Sequence, residues 1–234
     1  MPSVERAVCL TLVVVLAACG PEAGDAGVAD LVTPETHLGG CILRQPDGEV
    51  PDDVYRATGI VPTMDYPPFT KTLTSHGLVL AARDDASDEF MSQVGDVIAE
   101  MFPRDSAMDL DAQAELLRNH YRYRAVIPVP VGDDLGFLEG DDPGWHETFR
   151  GNSICDIIMQ DVPGQVMEVV EHILHYVTDI GLHYTFPDEW GISTESALNT
   201  AMQKSIDEGW YEISGYSDIE EPEVRLRVLL QEFA

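Results

Sequence analysis

The stretch from Val166 to Ile180 constrains this chain more than any other. Its apolar residues Val166, Val169, Val170, Ile173, Leu174, Val177 and Ile180 recur at intervals of three and four, the period of an amphipathic α-helix lying on a core. Pro163 and Gly164 before it and Gly181 after it read as its stops. At about 100° per residue, Glu168, Glu171, His172, His175 and Asp179 fall together on the opposite arc. Imidazole nitrogens and carboxylate oxygens are zinc's usual non-thiolate ligands, and i,i+3 or i,i+4 neighbours can converge on one ion. The same face also suits a solvated helix whose acids and histidines make weak surface pairs. A different grouping, His172, His175 and His183 with Glu168 or Asp179, would form if the turn at Gly181 folded His183 back.

The remaining chain alternates short apolar runs with helical periods. His76 to Ala82 reads as a covered strand, and Asp84 to Asp88 as the turn and N-cap signal of a helix through Phe90, Val94, Val97, Ile98 and Phe102, ended by Pro103. A second helix spans Asp109 to Tyr123. Residues 125–131 are β-branched but contain Pro128 and Pro130, which confines them to a sheet edge. Residues 132–153 form a long Gly- and Asp-rich loop carrying Trp145 and His146, and Cys155 to Met159 is another short strand. Past Gly181 come an aromatic turn through Tyr184, Phe186 and Trp190, a helix capped by Ser193 or Thr194 and reaching Glu208, turns bearing Trp210, Tyr211 and Tyr216, and a last helix from Glu221 to Ala234. That helix still shows its apolar face at the last residue, as expected of a chain cut short or of a helix seated in a partner. The predicted fold is α+β, a small sheet of short strands followed by a helical C-terminal half, in one domain over residues 38–234.

Ahead of that domain, the apolar run from Ala7 ends in Leu16-Ala17-Ala18-Cys19. It is too short to anchor in a bilayer and ends in small residues, as a signal segment does. The tetrad resembles the lipobox of bacterial lipoproteins, which implies removal of residues 1–18, lipid on Cys19, and attachment to the cell envelope facing the periplasm or the exterior. Residues 19–37, small and polar, are the expected tether. Of the remaining cysteines, Cys41 and Cys155 are a candidate disulfide in an oxidising compartment. The net charge of −29 repels nucleic acid phosphates, so no nucleic acid partner is expected.

The order of elements, with Glu171-His172-Ile173-Leu174-His175 on one helix and Glu232-Phe233-Ala234 at the end, resembles the zincin metallopeptidases, and more particularly the catalytic domain of anthrax lethal factor. In that family one helix carries HExxH, a later helix supplies a third, glutamate ligand, and a tyrosine lies between them. The resemblance implies zinc on Glu171, His175 and Glu232, His172 at the place of the general base, Tyr211 or Tyr216 as the tyrosine, and a peptide or protein substrate. This chain departs from the family at the chemistry itself, since EHxxH exchanges the first ligand and the base. An active hydrolase with altered ligands, a metal-binding protein without peptidase activity and a metal-free relative are all compatible with that exchange. The rival class is a non-enzymatic envelope protein that binds partners through the 132–153 loop and exposed Trp145, Trp190 and Trp210.

Overall fold

A computed structural model describes residues 41–105, 107–132, 134–137 and 143–234. The expected signal segment, Cys19 and the tether lie outside the described residues. Among the described residues four strands form one sheet in the order β1 (Val61–Pro62), β2 (Lys71–Ser75), β3 (Leu78–Ala82) and β4 (Val126–Val129); the first two pairings are antiparallel and β3 with β4 is parallel. Strand β2 is not among the sequence expectations, because Lys71-Thr72-Leu73-Thr74-Ser75 is too polar to stand out. Its hairpin partner is set by a two-residue turn in which His76 and Gly77 both have positive φ, 53° and 85°, the primed-turn geometry that matches strand twist.

The parallel pairing needs a crossover, and two helices supply it: α1 (Asp88–Met101) and α2 (Leu110–Arg122). Each starts where the sequence signals it. The Ser87 hydroxyl accepts from the Phe90 N–H and the Asp109 carboxylate from the Ala112 N–H, filling donors the first turn leaves open. On one face of the sheet Leu78, Leu80, Ile127 and Val129 join α1, α2 and the long helix α4 (Gln165–Tyr176) in the main core. On the other face Ala81 and Val126 meet Phe69, Phe137, Trp145, Phe149 and Ile154. The alternation is the period of two expected of a strand covered on both sides.

That second cluster corrects the reading of 132–153 as a loop. Residues Pro143–Gly151 form helix α3, with Trp145 and Phe149 fully buried; the aromatic side chains anchor the segment and do not present a binding face. The expected strand Cys155–Met159 is also absent, and the prolines explain why. Ile158 and Gln160 donate to the carbonyls of Pro128 and Pro130 at 3.0 and 2.9 Å, but neither proline has an N–H to return. Only isolated bridges form, Ala125 with Ser153 and Val131 with Gln160, so β4 closes the regular sheet as the edge strand the prolines imply.

Helix α4 does not stop at Gly181. It passes into a π-helical turn, Val177–Leu182, and continues through the short α5 (His183–Thr185). Gly181 is buried against α2, where an added Cβ would lie 2.6 Å from Leu116 Cγ and 3.2 Å from His120 Nε2. It therefore permits a close helix approach and terminates nothing. Gly181→Ala is expected to destabilise by about 1–3 kcal/mol through overpacking, read as a drop in the urea midpoint with unchanged slope. Beyond α6 (Pro187–Trp190), α7 (Ala197–Asp207) is capped by Ser196, not by Ser193 or Thr194, and packs with α8 (Pro222–Phe233) around Leu198, Met202, Leu229 and Leu230. The fold is α+β, a small sheet followed by a helical half.

Candidate metal centre

The amphipathic reading of α4 holds only in part. Val169, Ile173 and Ile180 are buried as expected, whereas Val166 and Leu174 are 76% and 46% exposed. The polar arc is in turn drawn inward: His175 and Asp179 are buried, and His172 is half-buried. A polar group out of water must be paired, and the pairing of His175 is specific. Its Nδ1 lies 2.6 Å from Oδ2 of Asp156, a buried carboxylate on the segment just before α4.

With Nδ1–H donating to that carboxylate, Nε2 carries the lone pair and points toward α8, 4.0 Å from Oε1 of Glu232. One ligand atom each from Glu171, His175 and Glu232 all lie within 4.8 Å of one another. These are the residues grouped as ligands from the sequence, and the packing of α8 beside α4 brings them together. The Glu232 side chain keeps 25% of its surface accessible, and the group opens into a cleft of about 220 Å³ lined by Met167, Val170, Leu174 and Thr178 as well as the three candidate ligands.

The electrostatics favour a cation here. Burial raises the Glu232 carboxyl above its ordinary range; the nearby His175 opposes this, and the Asp156 and Glu171 carboxylates add to it. Burial alone would push His175 down, but the hydrogen bond to Asp156 and the charges of Asp156, Glu232 and Asp179 outweigh it and raise the imidazole. The His175 shift reports the acidic groups gathered around it and the Glu232 shift reports chiefly the burial of a carboxyl, two conditions that a divalent ion between them would relieve.

The other predicted residues have separate tasks. The His172 Nδ1 is hydrogen-bonded to the Ile157 carbonyl, with Asp156 Oδ1 at 3.7 Å and Glu168 Oε1 at 3.5 Å, and its ring is stacked on that of His175. Glu168 accepts from Met159 N–H and from Gln165 Nε2 at 2.5 and 3.0 Å, tying the start of α4 to the segment beneath it. Tyr211 donates to the Leu229 carbonyl at 3.1 Å and so anchors α8. Tyr216 packs on the cluster between α7 and α8, and burial first, then the Glu232 and Glu171 carboxylates, raise its phenol. His183 accepts from the Ile192 N–H at 2.9 Å and packs edge-on to Tyr184, so the histidine-rich alternative does not assemble.

Asp156 is missing from the groupings made on sequence. Its signal is an acid inside the apolar run Ile154-Cys155-Asp156-Ile157-Ile158, where burial demands a partner. Tyr176 holds the same segment: its hydroxyl donates toward the carbonyls of Val126 and Asp156, both at 2.6 Å, and accepts from Asp156 N–H at 3.2 Å. Cys155, adjacent to Asp156, is joined to Cys41 by a disulfide. Among the described residues no helix is long and apolar enough to cross a membrane. Comparison with protein-family models, with curated proteins and with solved structures found no match.

Proposed function

We propose that this chain is an exported, lipid-anchored metallohydrolase of the zincin type, with zinc held on Glu171, His175 and Glu232 and peptides as substrate. The observation that supports it is the convergence of those three side chains, with the His175 Nδ1 fixed by Asp156. Metal-binding histidines commonly give their second nitrogen to a carboxylate, which sets the tautomer and raises ligand basicity. Two carboxylates and one imidazole are an acceptable zinc set. Zinc bound there would supply Lewis acidity for hydrolysis of an amide.

The chain's own residues divide the remaining work. His172, beside the ligands and with Nδ1 engaged by Ile157, retains Nε2 as the acceptor for a proton from the attacking group. Tyr216, kept protonated by its surroundings, can donate to the oxygen on which negative charge develops. Met167, Val170 and Leu174 give the cleft an apolar wall on one side of the centre.

Purified protein is expected to carry one zinc per chain, to lose it and its peptide hydrolysis together on chelation, and to regain both when zinc is restored. Zinc without hydrolysis of a mixed peptide pool would reduce the reading to a metal-binding protein; absence of zinc would end it. Zinc affinity is also expected to fall on acidification. His175 and Glu232 have raised pKa values, so protons compete at higher pH than for free side chains, by about tenfold per pH unit for each proton displaced. Affinity that stays flat from pH 8 to pH 5 would exclude these ligands.

A second reading, a non-enzymatic envelope protein that binds partners, is favoured by Trp210, which is 75% exposed on the turn after α7. The buried Trp145 lends it no support.

A further inference from the structure

We propose that Cys41, Cys155 and Asp179 form a second cation site, closed by the disulfide in the oxidised protein and opened to a thiophilic divalent ion such as zinc when that bond is reduced. The two sulfurs and a carboxylate oxygen of Asp179 all lie within 4.8 Å of one another. All three residues are fully buried. Asp179 has no hydrogen-bond partner on either carboxylate oxygen among the described residues. A buried acid almost always finds a donor, so an unpartnered carboxylate aimed at two sulfurs asks for a ligand between them.

The three groups arrive from separate, well-held pieces of chain. Cys41 is fixed by the bridge between Ile42 and Ile154, and Cys155 by its neighbour Asp156 on the Tyr176 hydroxyl. Asp179 sits in the π-helical turn that follows α4, a local irregularity that recurs at functional positions. Thiolate sulfur selects zinc over magnesium or calcium, and two thiolates with one carboxylate leave a fourth tetrahedral position. The site shares a helix with His175 but none of the ligands of the centre proposed above, and it stands whether or not that centre binds metal.

Opening the site is a two-electron reduction. A water-soluble phosphine gives its electron pair to the S–S bond and becomes the phosphine oxide with the oxygen of water; the two protons of that water end on the two sulfurs. Metal binding then displaces both thiol protons to solvent.

Cobalt(II) tests this on the chelator-treated full-length chain, because a thiolate-to-cobalt charge-transfer band in the near ultraviolet requires sulfur ligands and the Glu171, His175 and Glu232 group has none. The band is expected only after phosphine reduction, is displaced by zinc, and in Asp179→Asn requires at least about tenfold more cobalt. A reduced wild-type chain without the band, or an Asp179→Asn variant titrating like wild type, overturns the proposal. Should reduction unfold the chain, the readout becomes recovery of native far-ultraviolet circular dichroism on adding zinc, and a chain that stays unfolded also overturns it.

Discussion

Replacing His175 with alanine is expected to lower zinc affinity by more than roughly a hundredfold while leaving the fold intact, and Asp156→Asn to lower it by about ten- to a hundredfold. The larger effect follows from position: His175 is the only nitrogen donor of the three candidate ligands, and the remaining two carboxylates would bind a harder ion more weakly. Asp156 touches no candidate metal position. It accepts from His175 Nδ1 at 2.6 Å, so its loss removes the tautomer control and the basicity that an outer carboxylate gives, an effect of about one to two decades in other zinc sites. An amide at position 156 can still accept through its oxygen, which keeps the fold but withdraws the charge. Competition titration with a zinc chelator measures both. Equal affinities in wild type, His175→Ala and Asp156→Asn would mean that zinc, if bound, sits elsewhere.

The second large effect concerns Asp179 in the oxidised, metal-free protein. Burial pushes its carboxyl up to about 7; the neighbouring His175 and Arg227 oppose this, and Asp156 and Glu232 add to it. An unfolded aspartate titrates near 3.9. Between these values the folded state holds a proton that the unfolded state has lost, so stability falls as pH rises from about 4 to about 7 and the full penalty is present above that. A difference of roughly three pKa units corresponds to about 4 kcal/mol. Asp179→Asn removes this dependence. Its buried amide carries a cost of its own, but that cost is the same at every pH. The difference between the wild-type and Asp179→Asn stability curves should therefore shift by about 3–4 kcal/mol in favour of the variant between pH 4 and pH 8, measured by urea denaturation without reductant. Parallel curves would show that Asp179 is ionised in the folded protein throughout, with a partner it does not have here.

The residues behind these two effects differ in how plainly the sequence announces them. The α4 period, the turn and cap signal over Asp84 to Asp88, the helical stretch from Asp109 to Tyr123, and the restriction of 125–131 by Pro128 and Pro130 are local properties of backbone and side chain, and they reappear as α1, α2, α4 and the edge position of β4. The grouping of Glu171 with His175 is local too, since one helical turn separates them. Strand β2 is hidden because its register is imposed by its partner β3 and not by its own hydrophobicity. Helix α3 is hidden in a Gly- and Asp-rich segment because what stabilises it is the burial of Trp145 and Phe149 against the sheet.

Helical periodicity, capping and proline chemistry act over a few residues, so helices α1, α2 and α4, the edge position of β4 and the polar arc of α4 are settled by the chain itself. Which members of that arc face inward is not. The burial of His175 and Asp179, the turning of Asp156 toward an imidazole, the passage of α4 through Gly181 and the approach of Glu232 to Glu171 all depend on contacts between residues far apart in sequence. Such contacts become favourable only once the sheet and α8 have closed around the helix, because only then is water gone from the groups that must pair.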